Sequence, residues 1–205
     1  MKPLFLSLIA LLLPFTLFAQ PDTPGNSASA YAAYSVNNAL SSMTIAGGST
    51  VGSWDADVTL INARFSVNLE ALQNGGSNAF QLGEFVIPVE RIESDGNRMT
   101  NNIHKYLEKD RHPNITFTFV SAELQQTTDA GTEVLVNGII NAAGADHAVS
   151  FVSNAAFADD QSIVLSGTVD FGFSDFNISR PSAMLGTVRA SEELQIIYEL
   201  VLTSN

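Results

Sequence analysis

From Tyr31 onward the chain runs in short apolar-alternating segments, divided by Gly, Asn, Asp and Ser. A period of two puts alternate side chains on opposite faces of a β-strand. Residues 64–69 alternate, with Phe65, Val67 and Leu69 on one face. Phe85, Ile87 and Val89 share a face in the next run, where Pro88, lacking an N–H, predicts a sheet edge or a bulge. Ile115, Phe117 and Phe119 alternate with outward threonines. A strand over residues 134–140 is broken by Gly138. Strands at 149–151 and 163–165 follow, with an acidic turn at Asp159-Asp160 between them. The last run sets Leu194, Ile196, Tyr198, Leu200 and Leu202 on one face. Strands at turn-marked spacings predict an all-β domain, a barrel or a sandwich.

One segment has another period. Met99, Ile103, Tyr106 and Leu107 fall on one face of a helix. Thr100 or Asn101 is placed to cap its start, and Lys105, Lys109 and Arg111 lie near its end, where cations suit the dipole. Pro113 stops it. The expected fold is therefore all-β with one short helix.

The first residues read as an address. Lys2 precedes an apolar run over residues 4–18, and Ala19 precedes Gln20 as a small-residue cleavage site. This predicts a signal peptide over 1–19, a flexible leader over 20–30 and a single domain over 31–205. The apolar run is shorter than the roughly 20 residues of a membrane-spanning helix. The mature chain is expected to be soluble, without stable membrane insertion, and periplasmic or secreted.

Composition narrows the chemistry. With no cysteine, disulfides, thiolate metal sites and cysteine nucleophiles are excluded. Beyond residue 19, eight basic residues face 21 acidic ones, a net charge of −13. That field repels nucleic acid. Charged residues make up 15% of the chain, against about 25% in an average domain. His104 sits on the predicted helix, while His112 and His147 fall in turns, with no metal-ligand spacing among them. Residues 47–52 fit neither a nucleophile elbow nor a phosphate loop, and read as a glycine-rich turn. Asp55 and Asp57 read as solvated. Arg98, Lys105, Lys109 and Arg111 form the one local excess of positive charge, a basic spot for a partner or simple helix solvation. The ten phenylalanines beyond residue 19 lie mostly on alternating strand faces. In a barrel of about eight strands those faces point inward, toward a packed core or one elongated ligand.

The order of these features resembles the YceI-like family, lipid- or polyisoprenoid-binding proteins. Four stretches carry the resemblance, which spans residues 34–203: residues 49–54 ending in Trp54; residues 99–107 with 112–117; the hairpin at 136–144; and Asp170-Phe171-Gly172-Phe173 followed by residues 180–188. The resemblance implies an extended, lipocalin-like antiparallel β-barrel whose interior holds a long isoprenoid or other lipid tail. It also implies export to the periplasm and links to stress or to isoprenoid quinones.

The expectation is a non-enzymatic protein that sequesters or carries an apolar chain, with no cofactor besides the bound lipid. The residues expected to contact it are Phe65, Val67, Leu69, Phe85, Ile87, Phe117, Phe119, Phe151, Leu165, Phe171, Ile196 and Tyr198, with Tyr106 and Leu107 closing one end. The alternative is a filled structural or interaction module acting through its loops or basic helix. A homodimer or a membrane-protein partner is left open.

Overall fold

The computed structural model describes residues 31–74, 79–128, 131–158, 162–183 and 186–204. The expected signal peptide, the leader and the Asp159-Asp160 turn lie outside the described residues.

The chain runs β1 (Tyr31–Val36), β2 (Ser42–Ser49), β3 (Gly52–Val58), β4 (Asn62–Asn68), α1 (Leu69–Gln73), β5 (Phe80–Pro88), β6 (Ile92–Glu93) and α2 (Asn97–Tyr106). It continues through β7 (Asn114–Thr128), β8 (Gly131–Ala142), β9 (Ala145–Phe157), β10 (Ile163–Gly172), β11 (Ser182–Ala183) and β12 (Val188–Ser204). Eight antiparallel strands close a barrel in the order β1-β4-β5-β7-β8-β9-β10-β12, and β12 returns to β1. The closing register sets Tyr34 opposite Ser204 and Val36 opposite Leu202. The other half of β12, Ala190 to Glu199, pairs with β2, which leads out through β3 to β6. The fold is thus the extended antiparallel β-barrel expected, with α2 beside it.

The alternation that predicts β12 is realised: Leu194, Tyr198, Leu200 and Leu202 are buried. Other local expectations are corrected. Leu69 is not on the strand face of Phe65 and Val67. Asn68 caps a second helix, its Oδ1 accepting from the Ala71 N–H at 3.0 Å, and Leu69 opens that helix. Pro88 is neither an edge nor a bulge. It ends β5 opposite Asn114, and Val89 enters a 3-10 turn over Val89–Arg91, fully buried. Gly138 does not break its strand, because β8 runs through it. The start of α2 is Gly96, with no side-chain cap. Thr100 lies inside the helix, where its hydroxyl accepts from the Ser94 N–H at 3.0 Å. The helix stops at Tyr106, well before Pro113, as Glu108 turns left-handed with φ 51°. In the glycine-rich stretch only Thr50 and Val51 form the turn, and Gly47 and Gly48 are strand residues of β2. His147 is on β9 rather than in a turn.

The barrel is solid at one end. Val67, Leu72, Val134, Ile163 and Leu202 are at most 2% exposed and belong to one packed cluster. Val67, Ile163 and Leu202 lie where β4, β10 and β12 come to the β1 seam, α1 supplies Leu72, and Val134 joins the cluster from β8.

Candidate functional site: a two-lobed apolar lumen

Beyond that solid end the barrel is hollow. Two cavities of about 140 Å3 each lie end to end. Met43, Ile87, Ile115, Ile140 and Ile196 line both, so they form a shared aliphatic neck. Each lobe is close to the apolar hole of about 150 Å3 that holds one benzene.

Lobe 1 lies within the barrel wall. Its rings come from the neighbouring strands β5 and β7 and then from strands two apart in the sheet. Phe85 on β5 meets Phe117 on β7, Phe117 meets Phe151 on β9, and Phe151 meets Tyr198 on β12, at centroid distances of 6.1, 6.1 and 6.3 Å. The first and last pairs are edge-to-face, a favoured aromatic geometry. The intervening strands β8 and β10 contribute Gly138 and Gly167. A Cβ on Gly138 would lie 2.2 Å from Phe117 Cε2, and one on Gly167 would lie 2.6 Å from Tyr198 Oη. The glycines are the gaps over which the rings lie.

Lobe 2 lies between β2 and β3 on one side and α2 with the 3-10 turn Phe173–Phe176 on the other. Trp54, Ile103, Tyr106, Leu107 and Phe171 line it. Trp54 points its indole at Gly47, where a Cβ would lie 2.4 Å from Cζ2, and its Nε1–H donates to the Gly48 carbonyl at 3.2 Å. The helix is held to β6 by His104 Nε2, which donates to the Ile92 carbonyl at 2.9 Å. Asn102 is exposed and also borders lobe 2, which places an opening beside α2.

No residue lining either lobe carries a charge. In lobe 1 the polar liners are Thr116, Ser153 and Tyr198. Burial pushes the Tyr198 phenol above its ordinary pKa, and a hydrogen bond with Ser153 partly offsets this.

The described structure brings twelve of the fourteen expected contact residues to the lumen. Phe65, Phe85, Phe117, Phe119, Phe151, Leu165 and Tyr198 line lobe 1, and Ile87 and Ile196 the neck. Tyr106, Leu107 and Phe171 line lobe 2. Val67 and Leu69 do not line it. Val67 is fully buried in the solid end, and Leu69, the first residue of α1, is half-buried against the core cluster and borders neither lobe. Sequence reasoning missed Trp54, Phe80, Phe173 and Phe176. Trp54, Ala56 and Val58 do alternate, which was an available signal, whereas Phe173 and Phe176 sit in a 3-10 turn without a strand period.

The histidines stay apart in role. His112 stacks on Gly144, and His147 lies against the Phe176 ring and 3.7 Å from Asp175. Among the described residues there is no cluster of three or more potential metal ligands. The basic spot is balanced in place: Glu90, Glu93, Asp95, Glu108 and Asp110 share its stretch of chain, and Arg111 pairs with Glu108 at 2.6 Å. No helix among the described residues is long and apolar enough to cross a membrane.

An apolar-lined eight-stranded barrel with a helix over its open end is what the sequence resemblance implied, and a direct comparison decides it. The model of the YceI-like domain matches residues 34–202. The chain belongs to the YceI-like family. Solved structures agree with this fold at low identity. BcnA of Burkholderia cenocepacia is similar over 82% of this chain and 99% of its own, with 15% identity and a TM-score of 0.66. A polyisoprenoid binding domain from Saccharophagus degradans, implicated in plant cell wall breakdown, is similar over 85% and 99%, with 12% identity and a TM-score of 0.61. The YCEI protein of Campylobacter jejuni is similar over 73% and 84%, with 14% identity and a TM-score of 0.56. Comparison with curated proteins returns no match. Twelve to 15% identity under a common barrel means that the fold is kept while most side chains change.

Proposed function

We propose that this YceI-like protein sequesters or carries an apolar chain, a prenyl chain or another lipid tail, in its barrel and without catalysis. The observation that carries the reading is the uncharged two-lobed lumen. Each lobe matches about one prenyl unit of five carbons, by the benzene comparison. A longer chain threads the neck and leaves beside Asn102. Ten buried carbons at about 0.8 kcal/mol each contribute about 8 kcal/mol before the costs of ordering. The name of the Saccharophagus degradans domain supports an isoprenoid as the chain. Family membership and the apolar run after Lys2 support export, with the protein working in the periplasm or outside the cell. The reading needs no cofactor besides the lipid. The alternative of a filled module has less support, because packed interiors leave few voids larger than a water and these lobes are larger.

The test is native mass spectrometry and solvent extraction of protein purified from its own source, with titration of added prenols followed by Trp54 fluorescence. A co-purifying lipid and saturable quenching are expected. Absence of both sinks the carrier reading.

A further inference from the structure

The chain has no cysteine, so its only sulfur is in methionine. Of the four methionines, Met43 and Met99 lie among the described residues, and both line the lumen. They differ in access. Met43, in the neck, is 6% exposed. Met99 borders lobe 2 from α2 and is half-buried, so solvent reaches it as well. Asn102, exposed at the opening, lies three residues on and so on the same side of the helix.

The hold of α2 on the barrel is slight, for it has no fully buried residue. Thr100 is bonded to the Ser94 backbone and His104 to the Ile92 carbonyl. The rest of the contact is apolar: the helix and its C-terminal end set Met99, Ile103, Tyr106 and Leu107 over lobe 2. Met99 is the one of these that an oxidant converts to a polar group. The thioether sulfur takes one oxygen from a hydroperoxide. An S–O bond forms as the O–O bond breaks, the sulfur gives up two electrons, and the peroxide leaves as water or an alcohol. The new oxygen is a strong acceptor in a wall without charge. The Trp54 Nε1–H of the same lobe is already given to the Gly48 carbonyl. Solvent beside Asn102 is the better partner, so the side chain turns out of the lobe and its contact is lost.

We infer that Met99 is an oxidation site for hydroperoxides, and that its sulfoxide loosens α2 and weakens the lumen's hold on an apolar chain. The loosening of α2 stands alone, and the loss of ligand rests on the carrier reading and adds a means of regulation to it.

The experiment exposes lipid-stripped protein to graded hydrogen peroxide, with peptide mapping of Met43 and Met99. Met99 is oxidised first. Farnesol, a short prenol, is the probe, followed by Trp54 fluorescence. Its Kd weakens about tenfold in step with the Met99 sulfoxide, the range for one polar group set in an apolar wall. Without ligand, hydrogen exchange quickens in α2 while β8 and β9 keep their protection. The two epimer-specific methionine sulfoxide reductases reverse both changes. Met99→Leu, compared with its own Kd before treatment, shows no loss, and Met99→Gln, polar and a good helix former, shows the fast α2 exchange without oxidant. Oxidation of Met43 before Met99, unchanged Kd and α2 exchange in the Met99 sulfoxide, or an equal loss in treated Met99→Leu overturns the switch and leaves the carrier reading intact. Failure of the untreated protein to bind farnesol overturns the carrier reading, and the exchange measurement still decides whether Met99 controls α2.

Discussion

Alanine at Gly138 tests whether the lumen is as open as described. Gly138 faces inward on β8, with the Phe117 ring over it from β7. The added Cβ would lie 2.2 and 2.3 Å from Phe117 Cε2 and Cζ, and 2.8 Å from the Thr118 carbonyl oxygen. The carbonyl belongs to the β7–β8 ladder and is held in place, so the ring is what moves. It can leave the wall only toward the lumen. A displaced phenyl is the size of the benzene that fills a hole of about 150 Å3, and lobe 1 has about 140 Å3. The ring therefore occupies the lobe that a ligand would use. Overpacking of this kind costs about 1–3 kcal/mol, and in a domain of this size each kcal/mol lowers Tm by roughly 2–4 °C. Gly138→Ala should melt lower by several degrees and lose more than tenfold in farnesol affinity. Thermal melts followed by near-ultraviolet circular dichroism and Trp54 titration read both effects. Gly83→Ala on β5 is the control, because its nearest neighbours are ordinary contacts at 3.6 and 3.9 Å. It should leave affinity unchanged and stability unchanged or slightly higher. Wild-type affinity and melting in Gly138→Ala would refute the ring-over-glycine argument.

Three further perturbations separate the parts of the barrel. Leu72→Ala removes a fully buried plug that lines neither lobe, and should destabilise by about 2–5 kcal/mol in urea melts while ligand Kd stays constant; a weaker Kd would mean that the lumen reaches α1. Burial favours the neutral Tyr198 phenol, so the folded chain holds that proton more tightly than the unfolded chain. Its contribution to stability is fully present below the ordinary value of 10.0 and is lost as pH rises through the higher folded value. Tyr198→Phe should flatten that part of the alkaline stability curve, and parallel wild-type and variant curves would contradict it. His104→Ala removes the bond to the Ile92 carbonyl, and hydrogen exchange should quicken in α2 while β8 and β9 keep their protection. Equal loss of protection in β8 would show that α2 is part of the barrel's cooperative unit.

Much of the wall was legible because a strand with one face inward must alternate, and β12 does so from Leu194 to Leu202. The helix α2 was legible from the spacing of Met99, Ile103, Tyr106 and Leu107, all of which line lobe 2. What failed was local. Gly138 read as a breaker because glycine is poor in strands, yet it is a residue of β8 whose missing side chain admits a ring from β7. That reason lies across the sheet and leaves no mark along the chain. Leu69 extended the period of β4 by one residue too many, because the cap at Asn68 makes the chain helical from Leu69 on. Seam closure was equally hidden. The contact of Tyr34 with Ser204 joins the two ends of the domain, and no local pattern encodes it.

The seam also explains why the barrel is hollow at one end only. β12 has 17 residues and β1 has 6, so β1 covers only the last residues of β12. There the wall is complete, and Val67, Ile163 and Leu202 meet across it with Leu72 beneath. Further along, β12 is met by β2, which turns out to β3 and β6 instead of back to β4. The wall parts, and one helix with no fully buried residue covers the gap. With no cysteine in the chain, packing and strand pairing hold the fold. The solid end concentrates the packing, so the other end tolerates a lumen whose side chains lack partners on one side. A ligand that binds only the folded barrel supplies those contacts and adds RT ln(1 + [L]/Kd) to its stability. Because stripping the lipid removes contacts at α2 and the neck but none at Leu72, the loss should appear first as faster exchange under the helix, with the closed end unchanged.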